Sequence, residues 1–470
     1  MKRRDFLKTG SLAALGGMLL TPFGAKANTI KEEFRGKKAK NIIFMVSDGM
    51  SVGTMIMADI YLKRKNGKSS NWVGLYEDNL VQRALMDMAS ANAIVTDSAA
   101  ASSSWGGGVR VNNGSLNVSP NGKENMPILQ KFKQAGKKVG CVTTVPITHA
   151  TPAGFCVTSK RRNAMDHIAE QYAELNFDVM MGGGSQYFDK DKRKDKKDVF
   201  DLFVKKGYTV AKTKSEMLSA PKNKPILGTF DEDAVPYTVD HLRDEKASKN
   251  IPSLAEMAQK AIDQMKDHKN GFALQIEGGK VDWAAHGNDI AALLFDQIAF
   301  DEAVKVVMDF AKKDKNTLVV ITSDHGNANP GLIYGGKTND NFDHLQKFTH
   351  SNDWILQGIH ASSSTSFVKD RIAEACGGFA VTDEQVKELL SYYNNLKKED
   401  GLYNHKNLPF RALAEMQKAY TSVGWISMDH SSDYTELAMY GPGSENLKSF
   451  IRNTDMHNFL LNAAHVENKF

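Results

Sequence analysis

The sequence predicts an α/β fold with a mostly parallel central sheet, helices on both of its faces, and one inserted subdomain. Two patterns predict it. Short apolar runs rich in Val and Ile alternate with longer stretches of helical period, the arrangement that lays crossover helices over both faces of a parallel sheet. Acidic residues and histidines stand at the ends of those runs, which is where open α/β sheets bind their ligands. The 470 residues are 41% hydrophobic and 24% charged. That composition excludes a disordered, collagen-like or polytopic membrane chain.

Residues 1–27 read as an address and not as part of the fold. Lys2-Arg3-Arg4-Asp5-Phe6-Leu7-Lys8 joins a twin arginine to a hydrophobic pair, an apolar stretch of small residues runs from Gly10 to Leu20, and Ala25-Lys26-Ala27 has the form of a signal-peptidase site. A twin-arginine signal carries folded cargo, so a periplasmic or secreted destination is expected, with the cofactor acquired before export. The apolar run is shorter than the roughly 20 residues that span a bilayer, so no stable membrane anchor is expected after cleavage. This segment carries five basic residues against one acid and supplies +4 of the net charge of +5. The remaining +1 leaves no electrostatic footprint for a nucleic acid partner.

In chain order, strands are predicted at Lys40–Val46, Lys138–Val145, Asp178–Met181, Gly271–Ile276, Leu318–Thr322 and Leu437–Tyr440. Helices are predicted at Ala164–Leu175, Ser253–Lys269, Asp289–Lys312 and Asp455–Ala464. The mature domain is taken as 28–470. Residues 331–424 break the alternation with polar, aromatic-dotted sequence lacking a regular period, and are read as the inserted subdomain. The run from Asp189 to Asp198 nearly cancels its own charge and has no interleaved aromatics, so it reads as a solvated loop. Three cysteines, Cys141, Cys156 and Cys376, cannot build a disulfide framework. One Cys141 to Cys156 bridge is open, but Cys141 sits in a Val-rich strand and reads as a buried apolar filler.

The chemistry lies in the strand ends. Asp48 ends the first run, Glu277 the fourth, and Asp324-His325 the fifth. Carboxylates gathered at one sheet edge repel one another unless cations hold them. Asp282 and His286 are four residues apart, on one face of a helical turn, and together they offer the mixed oxygen and nitrogen donors that zinc accepts. Elsewhere Thr96-Asp97-Ser98-Ala99-Ala100 follows an apolar stretch. Its small residues can begin a helix with Ser98 in the first turn, where the helix N-terminus favours an alkoxide or phosphate. Arg162, eleven residues after Thr151 in His149-Ala150-Thr151-Pro152, is suited to grip two phosphate oxygens at once.

Taken together, Ser47-Asp48-Gly49-Met50, Val95-Thr96-Asp97-Ser98-Ala99-Ala100, His149-Ala150-Thr151-Pro152-Ala153, Glu277 with Asp282 and His286, Ser323-Asp324-His325-Gly326, and Asp429-His430 with Tyr440-Gly441-Pro442 resemble the alkaline phosphatases in order and spacing. The resemblance runs from about Lys37 to about Ser444. It implies hydrolysis of phosphate monoesters to an alcohol and inorganic phosphate, through a phosphoserine at Ser98, with two zinc ions and one magnesium. It assigns Asp282, His286 and His430 to the first zinc, and Asp48, Asp324 and His325 to the second. Asp48, Thr151 and Glu277 are assigned to the magnesium. Arg162 is expected on the phosphoryl oxygens with Asp97 orienting it; Lys160 competes for that role, but Arg162 keeps the ungapped register. The family is often dimeric, so a homodimer is open.

Three residues depart from the best-known bacterial pattern. His149 stands where an aspartate often lies near the third metal, Trp283 where a lysine can reach phosphate through water, and Asn327 where a histidine is frequent. A neutral group at 149 weakens the negative field around the third site, so weaker magnesium retention, or zinc there, is expected. The rival readings are a phosphodiesterase or sulfatase of the same superfamily and, in another class, a non-catalytic phosphate-binding protein. No Cys-x-Pro-x-Arg sulfatase motif occurs, and every expected ligand position bears a competent residue.

Overall fold

The computed structural model describes residues 32–396 and 407–469; the predicted export segment, 1–27, lies outside them. Fourteen strands follow in chain order: β1 Asn41–Ser47, β2 Gln82–Asp87, β3 Lys138–Pro146, β4 Val179–Gly183, β5 Thr209–Ala211, β6 Ile226–Thr229, β7 Phe272–Gly278, β8 Thr317–Thr322, β9 Gly326–Asn327, β10 Gly331–Leu332, β11 Val423–Gly424, β12 His430–Ser431, β13 Thr435–Tyr440 and β14 Phe450–Arg452. Ten of them form one sheet in the order β14-β2-β13-β8-β1-β7-β3-β4-β6-β5. Within it β13 alone runs antiparallel to its neighbours β8 and β2.

The strand residues divide by parity between two buried clusters. Ile43 and Met45 of β1, with Val319 and Ile321 of β8, pack on one face against helices including Leu254–Met265 and Ile290–Asp314. Ile42, Phe44 and Val46, with Leu318 and Val320, pack on the other face against Ser98–Gly106, Ala150–Cys156 and Asp455–Ala463. Burial on both faces explains why these strands read as unbroken apolar runs. All six predicted strands and four predicted helices are present, with ends shifted by a few residues. The runs that sequence passed over, β2, β5, β6 and β14, are short or lie toward the sheet edges. β2 alternates buried and exposed positions weakly.

The segment read as irregular is helical, with helices at Thr338–His344, Asn352–Gln357, Thr365–Ala375, Asp383–Tyr392 and Phe410–Thr421. The antiparallel pair β10 and β11 ties its two ends together. Ser351, Ser364 and Thr382 cap three of these helices through their side chains, and short apolar pairs such as Val368 and Ile372 face inward. Their buried residues join the cluster of the Leu254–Met265 face. Thr365–Ala375, Asp383–Tyr392 and Phe410–Thr421 are as long as helices that the sequence did show, but among the described residues no strand stands between them to mark the alternation. No helix among the described residues is long and apolar enough to cross a membrane.

Candidate active site

The central strands β8, β1 and β7 are neighbours, so their carboxyl ends bring Asp324-His325, Asp48 and Glu277 to one edge. Ser98 opens the helix Ser98–Gly106, which docks on β1 through Trp105, whose ring centroid is 4.9 Å from that of Phe44. The helix approaches Ala150–Cys156 so closely that a Cβ on Gly106 would overlap the carbonyl of Gly154. The run of alanine and serine is therefore a packing requirement as well as a helix start.

Asp97 is the N-cap. Its Oδ1 accepts from the Ala100 N–H at 2.9 Å, and its Oδ2 accepts from Nη1 of Arg162 at 3.0 Å and from the Gly114 N–H at 2.9 Å. One carboxylate thus fixes both the helix that Ser98 opens and the arginine. Nη2 of Arg162 lies 3.2 Å from Nε2 of His149. Lys160 is exposed and makes no such bond.

Three histidines are each held by a backbone carbonyl at Nδ1. His286 bonds Met428 O at 2.6 Å, His430 bonds Thr96 O at 3.0 Å, and His325 bonds Gly326 O at 3.2 Å. A carbonyl only accepts, so the proton sits on Nδ1 and each Nε2 presents a lone pair. Those lone pairs converge on carboxylates. Nε2 of His325 is 3.2 Å from Asp324, 3.6 Å from Asp48 and 3.2 Å from Ser98 Oγ. Nε2 of His286 is 3.4 Å from Asp282 and 3.1 Å from Nε2 of His430. Acceptors facing acceptors are a repulsive arrangement that a cation reverses.

Three groups bring ligand atoms within 4.8 Å of one another: Asp282 with His286 and His430, Asp48 with Asp282 and His325, and Asp48 with His149 and Glu277. Buried oxygens of Asp48, Glu277 and Asp324, and Nδ1 of His149, have no hydrogen-bond partner. The orphaned carboxylate oxygens and the mixed donor set fit three metal ions. Burial, then the neighbouring Asp324 and Asp282, holds Asp48 well above the carboxylate range; burial lifts Glu277 to about 7 and Asp324 to about 6. Burial, then Arg162, pushes His149 down to about 3.

The structure brings the predicted residues to one sheet edge, but the groups differ from the predicted sets: Asp282 stands with Asp48 and His325 where Asp324 was expected, and His149 stands with Asp48 and Glu277 where Thr151 was expected. Asp282 belongs to two of the groups, and His149, expected only nearby, offers a ring nitrogen to the third. Thr151 Oγ1 is 3.4 Å from Asp48 Oδ2. Trp283 stands edge-on to His149 with centroids 6.1 Å apart. Asn327 donates to Asp282 Oδ1 at 2.7 Å, and Gly49, at φ 65°, donates to Asp324 Oδ1 at 3.0 Å where a Cβ would overlap Asp282. Sequence reasoning missed Thr143, which donates to Glu277, and Asn113, which accepts from the Asp97 N–H at 3.2 Å. A polar residue inside the Val-rich end of β3 was a usable signal for Thr143. Nothing in the sequence pointed to Asn113. Cys141 and Cys156 are buried free thiols with sulfurs 3.4 Å apart.

The family profile described as alkaline phosphatase matches residues 39–466. Alkaline phosphatase 4 of Bacillus subtilis is 32% identical over 441 residues, covering 90% of this chain and 88% of that protein. The crystal structure of Thermus thermophilus alkaline phosphatase superposes with a TM-score of 0.85 at 29% identity, covering 95% of this chain and 96% of that one. A cold-active alkaline phosphatase from a psychrophilic Shewanella species shares the fold, with a TM-score of 0.75 at 23% identity over 90% of this chain and 99% of that one. With a match that runs from β1 to beyond the last helix, this chain belongs to the alkaline phosphatase family and is a metal-dependent phosphomonoesterase.

Proposed function

We propose that the chain hydrolyses small phosphate monoesters in two displacements through a phosphoserine on Ser98. Asp282, His286 and His430 would hold one zinc, Asp48, Asp324 and His325 a second, and Asp48, Thr151 and Glu277 a magnesium, with His149 beside them. When bound, these ions lower the pKa of the attacking hydroxyl and neutralise charge developing on the phosphoryl and departing oxygens. Ser98 Oγ bonds to phosphorus as the ester P–O bond breaks and the alcohol leaves with a proton. Water then takes the place of Ser98 on phosphorus, and inorganic phosphate departs as the serine hydroxyl is restored. Arg162 holds two non-bridging oxygens, its plane set by Asp97 and His149. The twin-arginine segment supports a periplasmic or secreted site of action.

The observation that carries this reading is Ser98 Oγ lying 3.2 Å from the Nε2 lone pair of His325, at the carboxylate edge. Mass spectrometry of acid-quenched enzyme with substrate tests it. Phosphate is expected on the peptide containing Ser98; phosphate on Ser102, or on no peptide, overturns the covalent route.

A further inference from the structure

Arg162 faces two ways. On one side it meets the nucleophile's cap and His149; on the other it lines a cavity of about 490 Å³ with Asn113, Gly114, Lys160, Arg161 and Asn163. Lys160 and Arg161 are exposed. Among the described residues neither side chain has an ion-pair partner, whereas the superficially similar 189–198 run is self-neutralised. There Arg193 pairs with Asp195 at 2.6 Å and Lys190 with Asp198 at 3.7 Å. Three consecutive cations with no answering carboxylate at Lys160 and Arg161 are a local excess in a chain whose mature part is near neutral.

The floor of this cavity is tied to the catalytic machinery. Arg162 N–H donates to Gly114 O at 2.8 Å, Gly114 N–H to Asp97 at 2.9 Å, and Asn113 Nδ2 to Val95 O at 3.0 Å. The backbone that carries these cations is therefore tied to the cap of the helix that Ser98 opens. Because Arg162 lines this cavity, the guanidinium suited to the phosphoryl group borders it directly. Neutral amides at Asn113 and Asn163 add donors without adding negative charge.

Resting on the phosphoserine reading above, we propose that Lys160 and Arg161 form an anion subsite that selects monoesters carrying a second phosphate over esters of uncharged alcohols. The chemistry at phosphorus is unchanged. The P–O bond of the phosphate on Arg162 breaks, water supplies the oxygen to that phosphate and the proton to the leaving alcohol, and the second phosphate stays on the product. Two exposed charge-assisted contacts are each modest, and together worth roughly tenfold in kcat/KM at low salt. Salt screens such contacts.

The test compares 1,3-propanediol bisphosphate with propyl phosphate on metal-loaded enzyme, scoring phosphate release. Wild type is expected to favour the bisphosphate by roughly tenfold beyond the factor of about two for its two equivalent phosphates, and to lose most of that in high salt. The double variant Lys160→Ala with Arg161→Ala should keep propyl phosphate turnover and lose the preference; Lys160→Glu with Arg161→Glu should reverse it. A preference absent in wild type, or intact in the alanine variant, overturns the subsite and leaves the hydrolase reading standing. Failure of wild type to turn over propyl phosphate overturns the hydrolase reading and the subsite together.

Discussion

Asp97 and Arg162 are joined at 3.0 Å through one carboxylate oxygen, while the other oxygen of Asp97 caps the helix that begins with Ser98. Asparagine caps a helix about as well as aspartate but cannot hold a guanidinium by charge. Asp97→Asn should therefore keep the helix cap while turning an amide donor toward Arg162 and the Gly114 N–H, raising KM and the inhibition constant for phosphate about tenfold. Asp97→Ala should also lose about 1 kcal/mol of stability. Equal losses of stability in the two variants would contradict this division of labour.

Ser98→Ala should lower kcat by at least about a thousandfold. The metal ligands are other side chains, so elemental analysis should find the wild-type metal content. Near-normal turnover with metals in place would exclude a serine nucleophile.

His149 is buried and kept neutral by that burial and by Arg162, so it brings no negative charge to the group it shares with Asp48 and Glu277. Its Nε2 also faces the arginine. A neutral imidazole has one lone pair to give, so holding a metal competes with holding Arg162. His149→Asp should strengthen magnesium retention by about tenfold, read as slower loss of activity on dilution into chelator. Unchanged retention would place magnesium beyond the reach of residue 149.

Stripping the metals should make stability fall with rising pH. Asp48, Glu277 and Asp324 have folded pKa values raised above the ordinary value of about 4. Below about 4 the folded and unfolded chains are equally protonated at these groups; between there and about 7 the folded chain binds more protons, so its stability declines as pH climbs. The chelated protein is expected to melt higher at pH 5 than at pH 8, and the metal-loaded protein to show a smaller fall, the part that Asp289 and Asp296, lifted by burial to about 8 and about 7, retain. A metal-free protein that melts higher at pH 8 would mean that these carboxylates are not strained.

Replacing Arg3 and Arg4 with lysine should retain active, metal-loaded enzyme in the cytoplasm, seen by fractionation. Delivery undiminished by the change would rule out the twin-arginine route.

Much of the site was legible because its residues end strands of strong apolar pattern. Asp48, Glu277 and Asp324 each close a run that burial on two faces makes conspicuous, and the four-residue step from Asp282 to His286 is a helical repeat. The structure adds what pattern cannot carry. The antiparallel direction of β13 depends on pairing between residues about 115 apart, as Leu437 with Thr322 shows. The ring nitrogen that His149 offers, and the contact of Lys280 Nζ with the Tyr237 ring at 3.6 Å and the Trp283 ring at 4.8 Å, depend on side-chain direction. The helices of 338–421 were hidden because, among the described residues, no apolar strand alternates with them.

Adjacency of β8, β1 and β7 has a geometric consequence. Each strand delivers ligands from its own carboxyl end, and neighbouring strands in a hydrogen-bonded sheet lie about 4.8 Å apart. The ladder therefore acts as a ruler for the spacing of Asp324, Asp48 and Glu277, while Asp282, His286 and His430 reach the same edge from the helix Lys280–His286 and from β12. The helical segment closed by β10 and β11 lies outside that ladder, so its shape and length can change while the spacing of Asp324, Asp48 and Glu277 stays set by the strands.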